Sequence, residues 1–155
     1  MLALTVDVEE GFHGLWPSAH RTMEHHKSPQ GTFIRPLQSI LNLFERHHVS
    51  STFFVLGEVA EFFPEVVEEI YGLGHEVASH GYFHVDLTKI SLSRLEEMER
   101  RSRGVLAGIT GEVPIGFRAP FARINPAIVF LLSKMGYVYD SSVVPSLGIP
   151  GWWSN

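Results

Sequence analysis

Five short apolar runs alternate along this chain with stretches of helical periodicity, and every unusual polar cluster falls just after one of the runs. The runs are "LALTV" (2–6), "STFFVLG" (51–57), "HEVAS" (75–79), "PIGF" (114–117) and "YVYD" (137–140). Asp7, Glu9 and Glu10 follow the first, His80 and His84 the third and Arg118 the fourth, while Asp140 closes the fifth. Strands alternating with helices predict βαβ units around a mainly parallel sheet, hence an α/β fold. Ligands of parallel α/β architectures bind at the carboxyl ends of the strands. Four clusters at strand ends therefore predict one functional rim.

The connecting segments read as helices. From Pro36, a residue suited to a first helical turn, the apolar positions Leu37, Ile40, Leu41 and Phe44 follow the spacing i, i+3, i+4, i+7. Residues 58–74 predict a short helix, a break near Pro64, and a second helix ending at Gly72 or Gly74. Ser93 with Glu96 forms a capping-box signature for a helix over 93–108. Along it Glu96–Arg100, Glu97–Arg101 and Glu99–Arg103 predict i,i+4 pairs on a solvated face. Asn125 and Pro126 predict the start of a last helix that Gly136 ends. Residues 11–34, rich in Gly, Pro, Ser and His, predict a long loop, a feature that in compact domains is usually functional or mobile. The length of 155 residues fits a single domain, 1–155. Five strands make an open sheet rather than a closed barrel, and the final "SLGIPGWWSN" offers two tryptophans nothing to bury against. A domain truncated at its C-terminal side is the expectation.

Composition narrows the chemistry. A formal charge of −5 lacks the basic face that nucleic-acid binding needs. With no cysteine, disulfide scaffolds, cysteine–zinc sites and thiol nucleophiles are excluded, so any metal must rest on histidine and carboxylate. No apolar run reaches the ~20 residues of a membrane span. The opening "MLALTVDVEE" has no basic n-region, long apolar core or small-residue cleavage site, so it is not a signal peptide. A cytoplasmic protein is expected, or one whose leader has been removed. Nine histidines are the compositional oddity, and His13, His20, His25 and His26 crowd one N-terminal stretch.

Should "HGYFH" (80–84) form a helical turn, His80 and His84 would share a face, the spacing logic of helical HxxxH zinc sites. Zinc would lie roughly 2.0–2.1 Å from each nitrogen and would want a third protein ligand. A carboxylate from the first strand can supply it, leaving positions open for water and substrate. Asp7 and Glu9, two apart, face one side of an extended segment. Such a pair can divide the labour, one binding metal and the other taking a proton from water. Against this stands a plainer pattern of solvent-facing histidines and surface acids, which is the expectation for Glu10. Arg118 is a candidate for a charge-assisted hydrogen bond to Asp7, or for an ion pair with another acid.

Taken together, these residues resemble the polysaccharide deacetylases with NodB homology, carbohydrate esterase family 4. "TVDVEE" is similar to the first family motif in its D-x-[DE] form, "GHEVASHGYFH" to the second, "FRAPF" to the third, and "YDSS" to the start of the fourth. The resemblance covers nearly the whole chain but only about two-thirds to three-quarters of the family's domain. It implies a distorted (β/α) barrel with fewer than eight strands. It implies Asp7 as general base, Glu9, His80 and His84 as ligands of a divalent metal such as Zn2+, and Arg118 as the residue orienting Asp7. The Phe121 N–H would stabilise an oxyanion while its ring walls the groove. Asp140 would tune a general-acid histidine of a fifth motif, yet no histidine follows His84 here, and His13 or His20 is left as a stand-in. Trp16 and Tyr82 join Phe12 as aromatic faces for a sugar ring, whereas Trp152 and Trp153 suit apolar packing or the groove. The implied activity is metal-dependent removal of N-acetyl groups from an N-acetylhexosamine polysaccharide. Two alternatives stay open: a non-catalytic metal- or carbohydrate-binding member, and a hydrolase of small or cyclic amides.

Overall fold

β1 (Thr5–Val8), β2 (Thr52–Val55), β3 (Glu76–Ser79), β4 (Gly116–Phe117) and β5 (Tyr139–Asp140) form one sheet. Its order is β1-β2-β3-β4-β5 and every pairing is parallel. This is a computed structural model, and it describes residues 3–11, 13 and 32–143. The predicted loop over 11–34, with Phe12, Trp16 and His20, and the terminal Trp152 and Trp153 therefore lie almost wholly outside the described residues. Register aligns the strand ends in a single rung: Val8 opposite Val55, Val55 opposite Ser79, Ser79 opposite Phe117, and Phe117 opposite Asp140. One step beyond that rung stand Glu9, His80, Arg118 and Ser141. The rim anticipated from the sequence is thus a property of the register.

Helices α1 (Ile34–Arg46), α2 (Gly57–Phe62), α3 (Pro64–Gly72), α4 (Leu92–Thr110) and α5 (Pro126–Lys134) connect or follow the strands. Leu37 and Leu41 of α1, Val59 and Ala60 of α2, Val66, Val67 and Ile70 of α3, and Leu106 of α4 pack with Phe53 and Val55 of β2. A second cluster joins Leu95 of α4 to Phe117 of β4 and to Ile128 and Leu132 of α5. Phe53, Phe54 and Val55 are all buried, as a run apolar on both faces requires of a central parallel strand.

The start and stop signals hold at α5 and fail at α4. Asn125 Oδ1 accepts from the Ile128 N–H at 3.0 Å, Pro126 takes the first turn, and Gly136 stands at φ 90° just beyond α5. Losing that cap through Asn125→Ala is expected to lower stability by about 1 kcal/mol, read from urea unfolding. The Ser93 capping box does not form. Ser91, whose backbone is extended, accepts from the Arg94 N–H instead, and this places Ser93 inside the first turn of α4. Glu96–Arg100 pairs as expected, but Glu97 turns back to Arg94 and Arg101 reaches Glu61 on α2. Glu99 is not solvated at all: it points inward with Leu95, Met98, Ser102 and Leu106, all on one helical face. β1 also begins later than the sequence suggests and contains Asp7 rather than preceding it.

Candidate metal centre

The chain leaves β3 through Ser79, and Gly81 at φ 86° turns it at once. The stretch 80–84 is a bend and not the helical turn anticipated above, because this left-handed glycine cannot continue a helix. The two imidazoles converge all the same, with ring centroids 5.5 Å apart. What shapes the bend is α2. Its first turn offers the N–H groups of Gly57 and Glu58, which donate to the carbonyls of Gly81 and Tyr82 at 2.9 and 3.1 Å. The helix N-terminus is thereby satisfied by the backbone lying between the two histidines.

Glu9 meets them from β1. Its carboxylate and one nitrogen from each of His80 and His84 all lie within 4.8 Å of one another. His84 Nε2 stands 2.9 Å from Glu9 Oε2, yet that oxygen has no hydrogen-bond partner, so the angle is not that of a hydrogen bond. The two atoms are close without that bond. His80 Nδ1 lies 2.8 Å from the Arg118 carbonyl. Only a protonated Nδ1 can donate there, which leaves the Nε2 lone pair for a ligand. Burial holds His80 below its ordinary pKa, partly opposed by Asp7 and Glu9, and so favours the neutral, ligating form. Burial raises the Glu9 carboxyl, but His84, His80 and His13 outweigh it and keep the group ionised below its ordinary range. Two imidazole nitrogens and one carboxylate oxygen, close together and partly buried, fit a divalent cation of the zinc type.

Asp7 sits beside this set with its carboxylate partly exposed. Arg118 donates to Asp7 Oδ1 at 2.7 Å, to Thr5 Oγ1 at 3.0 Å, and to Ser141 Oγ and O at 2.8 and 3.2 Å. Its guanidinium also lies over the Phe54 ring, 4.1 Å from the centroid. Thr5 and Asp7 face the same side because side chains alternate along a strand. Phe121 stands edge-on to His84 at 4.4 Å, with φ 58°, and Ala122 follows at φ 53°. Two consecutive non-glycine residues in the left-handed region cost roughly 1–2 kcal/mol each. Such strain is held where the surroundings fix it, as here in the short turn Pro120–Ala122.

Asp140 reaches the rim but spends its carboxylate on Ser142, whose N–H and Oγ–H donate at 3.1 and 2.6 Å. Ser142 Oγ in turn accepts from the Ala119 N–H at 2.7 Å, so Asp140 supports the turn that follows Arg118. Tyr82 does not offer the sugar-facing ring expected of it. It is 3% exposed, its hydroxyl donates to Glu61 Oε2 at 2.8 Å, and Arg101 covers the ring at 4.3 Å. The close approach of Gly57, which leaves no room for a Cβ beside the Tyr82 ring, explains that burial. Glu10, expected at the surface, is 1% exposed, and both its oxygens accept from Thr32. His13 comes to the site, but Nδ1 accepts from the Glu10 N–H at 3.1 Å and Nε2 lies 3.2 Å from Glu58 Oε1. Glu58 carries no sequence signal beyond being an acid in a first helical turn.

Comparison with known proteins bears on family and fold. The peptidoglycan deacetylase of Helicobacter pylori is 32% identical over 105 residues, which make up 68% of this chain and 36% of that protein. The peptidoglycan-N-acetylglucosamine deacetylase of Bacillus cereus is 34% identical over 85 residues, 55% of this chain and 31% of that one. The chain spans about a third of the length of these relatives. A family 4 carbohydrate esterase from Streptomyces lividans shares the fold with a TM-score of 0.67 at 24% identity, covering 87% of this chain and 58% of its own. Residues 36–139 match the polysaccharide deacetylase family, from α1 to the first residue of β5. The matched stretch holds His80, His84 and Arg118, while Asp7 and Glu9 precede it and are joined to it by the contacts above. On sequence and fold together, this chain belongs to the polysaccharide deacetylase family.

Proposed function

We propose that the rim hydrolyses the acetamide of N-acetylhexosamine units in a polysaccharide, with a divalent cation, Zn2+ by preference, held by Glu9, His80 and His84. The single observation that carries this is the juxtaposition of two parts: a three-ligand set within 4.8 Å, and an Asp7 carboxylate gripped by Arg118 on the same rim. When bound, the cation would polarise the acetamide carbonyl and make water more acidic. The protein does the rest. Asp7 accepts a proton from the attacking water through the carboxylate oxygen that Arg118 leaves available. Arg118, tied at four points and stacked on Phe54, keeps that oxygen from swinging away. Phe121 places its ring against His84 and forms a wall beside the ligand set. Asp140, through Ser142 and Ala119, fixes the segment that presents Phe121.

The substrate class is supported by the relatives from Helicobacter pylori and Bacillus cereus, whose names specify peptidoglycan. No helix of the described residues is long and apolar enough to cross a membrane. A cytoplasmic location is part of this proposal. The test is acetate release from N-acetylglucosamine oligomers and from peptidoglycan by the 155-residue chain. Release is expected with Zn2+, is expected to stop on chelation, and should return on adding the metal back. Metal-loaded, folded protein that releases no acetate from either substrate would sink the reading.

A further inference from the structure

We propose that Glu58 and His13, which take no part in the chemistry above, are positioning residues of the metal centre, an inference that rests on the three-ligand reading. Both side chains are buried, at 1% and 4% exposure. Burying a carboxylate and an imidazole is costly unless each answers the other. His13 Nδ1 accepts from the Glu10 N–H, so the ring proton sits on Nε2, and Nε2 lies 3.2 Å from Glu58 Oε1. The Glu10 N–H fixes the tautomer, and the Glu58 carboxylate beside Nε2 confines the tilt of the His13 ring.

The His13 ring lies nearly parallel to that of His84, with centroids 5.9 Å apart and 16° between planes. His84 is the ligand that most needs such a prop. Its Nδ1 is buried with no hydrogen-bond partner among the described residues, whereas His80 Nδ1 is held by the Arg118 carbonyl. A metal-ligating histidine is ordinarily oriented through its second nitrogen. For His84 the neighbouring ring takes over that task.

Glu58 joins both ligand-bearing segments. Its backbone N–H, with that of Gly57, holds the Gly81 and Tyr82 carbonyls between the two histidines, and its side chain holds His13. His13 is tied to Glu10, the residue next to Glu9, and Glu10 is anchored to Thr32. One turn of α2 therefore sets the distance between the Glu9 segment and the His80–His84 bend. Positioning of this kind acts on affinity for the metal before it acts on turnover.

The test is Zn2+ affinity by competition with a chromophoric chelator, with the Co2+ absorption spectrum as a second readout of ligand geometry. Glu58→Ala and His13→Phe are expected to weaken affinity by about 10- to 100-fold, the usual effect of losing a group that orients a ligand. His13→Phe keeps a ring against His84 but drops both polar contacts, so it separates stacking from anchoring. Glu58→Gln, which keeps the shape of the side chain and a polar oxygen facing Nε2, is expected to stay within about threefold of the native chain. Tyr82→Phe serves as the comparison: it removes a part-buried hydrogen bond from the same bend, and native affinity is expected. Native affinity and an unchanged Co2+ spectrum in His13→Phe would overturn the proposal, even if Glu58→Ala did not fold. A native chain that is folded yet binds neither metal would instead overturn the three-ligand reading.

Discussion

Asp7→Asn is expected to lower deacetylation by about 10²- to 10⁴-fold while leaving Zn2+ affinity close to native, whereas His80→Ala is expected to lose both. The difference follows from what each side chain touches. The Asn carbonyl oxygen can still accept from Arg118, so the tether at 2.7 Å survives, but the amide cannot take a proton from water. Among the described residues, a His80 nitrogen completes the one group of histidines and carboxylates able to hold a cation. Removing it leaves Glu9 and His84 as a two-ligand site, short of the three protein ligands a catalytic zinc ordinarily has. Acetate release with each purified variant, paired with metal analysis, reads both effects. Metal retained in full by His80→Ala would remove the premise of the site, and unimpaired turnover by Asp7→Asn would remove its base.

The second large effect concerns a carboxylate outside the site. Glu99 is wholly buried, and burial pushes its carboxyl from 4.5 up to about 7, against the pull of the Tyr137 and Ser79 hydroxyls and of Arg103. Between those two values the folded chain keeps a proton that the unfolded chain releases. Unfolding then releases a proton, so stability falls as pH rises. The contribution is complete below about pH 4.5, declines through the window, and is gone above about pH 7. Its size across the window is roughly 3 kcal/mol. Carboxylates held below their ordinary range, such as Glu61 and Asp86, act with the opposite sign at lower pH. A comparison with Glu99→Gln isolates the one group. Urea unfolding of the metal-free chains over this range should show the variant gaining on the native protein by about that amount as pH rises. Parallel curves would show that Glu99 carries no such proton.

Glu99 also illustrates what was legible in the sequence. The alternation of runs and helical stretches was enough for a parallel sheet of five strands, and the polar clusters did come to one rim. Local chemistry marked the break at Pro64 and the capped start at Asn125, where one residue's own backbone decides the outcome. Pairing rules failed where tertiary contacts competed. An i,i+4 rule placed Glu99 opposite Arg103 in solvent, although Leu95, Ser102 and Leu106 in the same helical register put it on the buried face. The spacing of His80 and His84 found the ligands for the wrong reason. A helical turn would bring them together, but the bend at Gly81, held by the first turn of α2, does so in fact. Tyr82 and Glu10 were misread because nothing in their own neighbourhood shows that Gly57 leaves room for one and that Thr32 binds the other.

Arg118 follows β4, yet it grasps Thr5 and Asp7 on β1, three places away in the sheet order. Laid flat, strands so separated would stand about 14 Å apart, beyond the span of one side chain. The guanidinium therefore works as a gauge of curl: it can bridge the two only because the sheet coils toward a barrel. Coiling and reactivity are one requirement here, since any change that flattened the strands would pull the proton acceptor off the rim before it disturbed a single ligand.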